Sequence, residues 1–209
     1  MDKSIYNAWS DAVKIAFRFN SYNALTLKVI IDNYLIKPTF PARLYHPRNS
    51  IRQIPGVWDK ISHPVMVQDL TLDDIEHKIL RVEFNEPRIH MAIVCASIGC
   101  ALLRNEPYYD YSLKDQFYGQ TFRFLQDHDK FAIDRYQSTV HLSPYFKWFG
   151  EDFIKTYGTE IRFTKHNKAE RASLNFISAY LNEGDKTYLL KAQYKINYLG
   201  YDWSLNEQK

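Results

Sequence analysis

The residue types best suited to chemistry gather in "RIHMAIVCASIGC", Arg88 to Cys100, which holds both cysteines and one of the seven histidines. Three chemistries fit them: a thiol nucleophile with an imidazole base, a metal or redox pair, or two small core residues. The thiolate is the nucleophilic form, and a nearby imidazole favours it. A zinc site would draw on His77 or His90 with Cys95 and Cys100, but C-x4-C is looser than the tight C-x2-C knuckle. Redox pairs favour C-x-x-C as well. No metal ligation is therefore favoured and no cofactor is expected. Free cysteine commonly packs as a small hydrophobe, so the structural reading stands beside the reactive one.

Residues 89–95 have the length and apolar character of a buried strand. Met91, Ile93 and Cys95 would then share one face and His90, Ala92 and Val94 the other. His90 and Cys95 would lie ~16 Å apart at ~3.3 Å per residue. Cys95 falls at the strand's end, entering the turn "ASIG", where backbone N–H groups around Ala96 and Ser97 can meet an oxyanion. His77 is the first choice of base and His90 the second. In "TLDDIEHKILR" Asp73 precedes His77 by four residues and shares its helix face, as an orienting carboxylate should. Glu76 points ~100° away and suits a pair with Arg81 or Arg88.

Other polar residues stand where apolar ones are expected. Asn20 and Asn23 flank the apolar stripe of the first helix, one turn apart. A buried asparagine needs partners, so each either pins a loop or supplies an oxyanion donor. Asp202 and Asn206 in "YDWSLN" are alternative orienting groups. Lys147 in "YFKWFGEDF" reads as a snorkelling lysine among core aromatics.

Composition excludes several classes. At 209 residues, with 45% hydrophobic and 24% charged, the chain can bury a substantial core. Sixteen tyrosines and a 16% aromatic share argue against disorder. Neither GxGxxG nor GxxxxGK[ST] occurs. A net charge of +3 with scattered basic residues gives no nucleic-acid footprint, and no run approaches the ~18 apolar residues of a membrane span. As it stands the sequence suggests a cytoplasmic protein, or an exported one if a leader has been removed. Partner and oligomeric state have no signature beyond an expected small-molecule or peptide-like substrate.

The elements that must position these residues follow from periodicity. Residues 5–36 read as one long helix, ended by Pro38 and Pro41. Residues 38–66 read mostly as loop with short extended pieces. A helix begins at Thr71 with a threonine cap. "SLKDQFYGQTFRFLQDH" is a helix behind a serine cap, "KFAID" and "STVHLS" form a hairpin, and "YFKWFGEDFIKTYG" is a helix stopping at Gly158. "NKAERASLNFISAYLN" is a further helix and "YKINYLGYDWSL" a final strand. The expectation is one α+β domain over 1–209, with a small, mostly antiparallel sheet packed by several helices.

The blocks "FNSYNALTLKVI", "IPGVWDK", "LTLDDIEHKILR", "EPRIHMAIVCASIGCALLRNEPY", "LSPYFKWFGEDF" and "YDWSLN" resemble, in order and nearly in wording, the family called domain of unknown function 547 over about residues 15–206. The resemblance carries over Asn20, Tyr22, Asn23, Asp74, Glu76, His77, Arg88, His90, Cys95, Cys100, Lys147, Trp148, Asp202, Trp203 and Asn206 as motif residues. Ala101 stands where proline commonly follows the second cysteine, and Arg18 and Phe19 replace the usual tryptophan and isoleucine. Family members often carry an N-terminal helical region or export signal. By analogy the fold is loosely like papain-type thiol hydrolases. The favoured reading is a cysteine-dependent hydrolase or acyl transferase using Cys95, with Asp73, Glu76 or Asp202 orienting the imidazole. A non-catalytic ligand- or protein-binding module with a structural His/Cys cluster competes with it, as does a zinc or thiol-redox site.

Overall fold

A computed structural model describes residues 3–207, which divide into two compact units. The first comprises residues up to 84, 91–118 and those from 202; the second comprises 85–90 and 119–201. Small sheets with many helices make the protein α+β, as the sequence predicts. A likeness to papain-type hydrolases receives no support.

In the first unit, α1 (Lys3–Ala8) and α2 (Asp11–Asp32) replace the single long helix expected. The break falls at Ser10, whose backbone is extended and whose hydroxyl accepts from the Val13 amide at 3.4 Å. A serine that satisfies an orphan N–H starts a new helix more readily than it continues an old one. The inward face of α2 carries Phe19, Tyr22 and Val29, all essentially buried. Phe19 meets Phe117 edge-on at 5.3 Å. The proline-rich stretch ends in the first strand of a short hairpin, β1 (His63–Val65) against β2 (Gln68–Leu70).

The helix expected from Thr71 is present, with a reciprocal cap. The Asp74 amide donates to Thr71 Oγ1 at 3.1 Å, and the Thr71 amide donates to Asp74 Oδ2 at 2.9 Å. Its body is unusual: Asp74–Leu80 is a π-helix, continuing as α3 (Arg81–Glu83). A widened turn of this kind is rare and concentrates at functional positions.

The strand expected over 89–95 is absent. Pro87–Met91 forms a 3₁₀ turn, and residues 92–95 run irregularly although 89–94 are buried. Buried backbone must find hydrogen-bond partners, and here a side chain provides them. Asn23 Oδ1 accepts from the Val94 amide at 2.9 Å, and its Nδ2 donates to the Ala92 carbonyl at 3.3 Å. Within this segment the side-chain amide of Asn23 on α2 takes the place of a neighbouring strand.

In the second unit, β3 (Phe131–Asp134) and β4 (Thr139–Leu142) form the expected antiparallel hairpin. β5 (Lys195–Tyr198) joins β4 in parallel. Parallel neighbours require a long crossover, here formed by α5 (Tyr145–Trp148), α6 (Gly150–Tyr157), α7 (Lys168–Ser178) and α8 (Glu183–Lys191). The helix expected over 145–158 is interrupted at Phe149, and α8 has no counterpart in the sequence-based expectation. α7 opens with the Asn167/Glu170 capping box. A Cβ on Gly150 would lie 2.9 Å from the Ala169 Cβ, so glycine is what lets α6 approach α7. Phe146, Phe153 and Phe176 are fully buried at the centre. The chain enters this unit through α4 (Leu113–Leu125).

Candidate functional site

The two cysteines occupy different environments. Cys100 is buried, and its sulfur accepts from the Cys95 amide at 2.9 Å while its thiol donates to the Ile93 carbonyl at 3.6 Å. Those bonds close the turn. Cys95 is half-buried, with Sγ 3.0 Å from Ser97 Oγ. The residue between Cys95 and Ser97 takes a costly shape: Ala96 has φ +57°, a left-handed conformation that disfavours a side-chain-bearing residue by ~1–2 kcal/mol. Its N–H donates to no other group among the described residues.

The turn is pinned from the other side by the segment over 202–206. The Ile98 amide donates to the Ser204 carbonyl, the Gly99 amide to Asp202, and the Asn206 amide to Ala96, each at 2.9 Å. Asp202 and Asn206 thus enter through their backbones. The Asp202 carboxylate accepts from the Ser204 amide at 2.8 Å, so it shapes its own turn. Asn20 binds Tyr108 twice, accepting from its amide at 2.8 Å and donating to its carbonyl at 2.9 Å. Asn20 and Asn23 therefore both pin backbone.

Glu76, a candidate from the sequence, takes an unexpected partner. The sequence suggests a basic partner for it, yet the Tyr22 hydroxyl donates to Glu76 Oε2 at 3.1 Å in a buried setting. Burial pushes the Glu76 carboxyl above its ordinary range, the neighbouring His77 and the Tyr22 hydrogen bond pull it back, and the Cys95 sulfur raises it further. The Tyr22 phenol is likewise raised, first by burial, then by Glu76, then by Cys95 and Cys100. The Tyr22 phenol thus lies within electrostatic reach of Glu76 and both thiols, and Glu76 within reach of Cys95.

His77 is exposed, and both ring nitrogens face its own helix. Nε2 is 3.7 Å from Asp73 Oδ1, beyond hydrogen-bond length; Nδ1 is 3.9 Å from Glu76 Oε1 and 3.0 Å from Arg81 Nη1. A guanidinium can only donate, so Nδ1 accepts and the ring proton of neutral His77 sits on Nε2. The expected Asp73–His77 neighbourhood is therefore present, in a looser form than an oriented triad requires.

The remaining sequence candidates lie in the second unit. His90 is buried there, its Nε2 3.0 Å from Asp152 Oδ2 and its ring stacked on Phe149 at 3.7 Å. Asp152 escapes sequence reasoning because it reads as one acid in an ordinary amphipathic helix, with no spacing signal toward His90. Arg88 grips Glu86, its Nε donating to Oε1 at 2.7 Å. Lys147 extends over the Tyr198 ring at 5.8 Å, a cation–π contact in keeping with a snorkelling lysine. No group of three or more His, Cys, Asp or Glu side chains that could hold a metal occurs among the described residues.

The first unit thus combines a thiol turn, a buried Tyr–Glu pair and a π-helical histidine segment within an α+β protein. The chain belongs to the DUF547 family of proteins of unknown function, whose model matches residues 6–125. That span includes Asn20, Asn23, Glu76, His77 and both cysteines. Comparison with curated proteins and with solved structures finds no match.

Proposed function

We propose that the protein is a cysteine-dependent hydrolase or acyl transferase in which Cys95 is the nucleophile and Glu76 accepts its proton. The carrying observation is the buried Tyr22–Glu76 pair within electrostatic reach of a half-buried thiol. A carboxylate made more basic by burial is better matched to a thiol proton than an exposed one. The Cys95 sulfur attacks an acyl carbonyl, Glu76 takes the thiol proton and returns it to the leaving group, and water or an acceptor nucleophile cleaves the thioester. The Ala96 N–H is the donor available to the oxyanion. His77 tunes the carboxylate from the solvent side. Ile98, Leu102 and Leu103, each 39–44% exposed and close to Cys95 in sequence, suit an apolar acyl group.

The test is iodoacetamide labelling of the two thiols against pH, read by peptide mass spectrometry, with a parallel zinc assay. The expected result is preferential labelling of Cys95, rising well below the ordinary thiol range of ~8.5. In Glu76→Gln, which removes the proton acceptor, labelling of Cys95 near neutrality should fall to the rate of an ordinary thiol. Two metal-free thiols that stay silent until unfolding would sink the proposal and leave a binding module. Protection of the thiols that a chelator relieves would favour the metal reading instead.

A further inference from the structure

Large apolar side chains are exposed along one short stretch of the first unit. The end of α2 presents Leu27 and Ile31, one turn apart and both exposed. The loop beyond continues the pattern: Leu35, Phe40, Leu44 and Tyr45 are 62–77% exposed. Apolar exposure concentrated in one stretch of chain marks a surface that meets something less polar than water.

Charge decides what that something is. Lys37, Arg43 and Arg48 are interleaved with these residues, are exposed, and have no ion-pair partner among the described residues. The acids nearby are already engaged: Asp32 is paired with Lys28 at 2.6 Å, and Glu207 accepts from the Tyr34 hydroxyl at 2.8 Å. His46 is held toward its neutral form by burial and by Arg52, so the positive charge here rests on Lys37, Arg43 and Arg48. The Arg43 guanidinium sits 5.9 Å from the Phe40 ring centroid, placing cation and aromatic side by side.

We infer that the end of α2 and the loop over 31–48 form a docking surface for an anionic lipid membrane, with Leu35, Phe40 and Leu44 entering the interface and Lys37, Arg43 and Arg48 meeting headgroups. Aromatic and aliphatic side chains favour the headgroup–acyl boundary, and unpaired cations are drawn to an anionic leaflet. No helix long and apolar enough to cross a membrane occurs among the described residues; the chain would lie on the surface. This docking is independent of the thiol chemistry.

The experiment is co-sedimentation of the whole chain with vesicles of phosphatidylcholine alone or mixed with phosphatidylserine, at low and high salt. The wild type should sediment with the mixed vesicles and be released by salt. Lys37→Ala/Arg43→Ala/Arg48→Ala should lower partitioning by roughly 100-fold, about fivefold for each cation. Leu35→Ser/Phe40→Ser, at exposed positions that leave the core intact, should abolish it. Absence of sedimentation with either vesicle would overturn the inference, as would binding that neither variant weakens. Self-association on gel filtration that Leu35→Ser/Phe40→Ser abolishes, without vesicle binding, would also overturn it by assigning the surface to a second copy of the chain.

Discussion

The Tyr22 hydroxyl and Glu76 Oε2 lie 3.1 Å apart in the buried interior of the first unit, joining α2 to the π-helical segment. Tyr22→Phe keeps the ring and removes the donor, leaving a buried carboxylate oxygen short of a partner. It should cost about 2 kcal/mol, measurable as a lower urea midpoint with unchanged slope.

Glu76 also gives a signed pH dependence. Its folded carboxyl is raised above the ordinary value near 4.5, first by burial. The folded state therefore holds the proton more tightly than the unfolded chain. The associated stability is present in acid and is lost as pH rises through the raised value. Glu76→Gln should match the wild type below pH ~4.5 and become progressively the more stable of the two above it. Paired urea titrations across pH would show this, and a difference that shrank with rising pH would contradict it.

Asn23 holds the segment leading to the thiol through two backbone bonds. Asn23→Ala strands a buried N–H and weakens a buried carbonyl that the Tyr108 hydroxyl also reaches at 3.3 Å. The loss should be about 3 kcal/mol. Hydrogen exchange should report early opening at Val94, and Cys100 should become alkylatable before global unfolding.

Asp152 is the buried partner of His90, with Lys155 3.5 Å away on its other oxygen. Asp152→Ala should destabilise the protein by about 3 kcal/mol, the range for removing one member of a buried pair. Asp152→Asn, which keeps an acceptor for the imidazole, should lose less. Thermal melts of both variants make the comparison.

At the surface, Asp74 has the opposite sign to Glu76. The Lys78 ammonium and the Thr71 amide and hydroxyl lower its carboxyl from 3.8 to about 2. Its stabilising effect is present above pH ~4 and disappears as pH falls toward 2. Asp74→Asn should therefore flatten the acid limb of the stability curve, leaving the limb above neutrality unchanged.

Sequence signals are legible where the chemistry is local. The Thr71 cap, the helix from Asn167, the 131–142 hairpin and the end of α6 at Gly158 all follow from residues within a few positions of one another. The 87–95 segment does not, because an apolar run of strand length fits several backbone shapes. What selects among them is Asn23, 71 residues from Val94. The break at Ser10 is hidden because the apolar stripe continues across it, and α8 because its residues are mostly polar. At the site, the Asp73–His77 neighbourhood is readable from i,i+4 spacing. The Tyr22–Glu76 pair is not, since each residue stands alone as an ordinary member of its own helix. The same holds for His90 and Asp152.

The asparagine clamps carry a consequence for the order in which the molecule assembles. Asn20 and Asn23 reach partners 88, 69 and 71 residues away, so neither clamp can form until a long stretch of chain has closed on itself. Closing such a span is entropically costly and slow relative to helix formation. α2 can form from its own sequence; the thiol turn cannot. The cysteine segment is thus a late-maturing part of the protein, and its thiols acquire their distinct environments only when the long-range closure is complete.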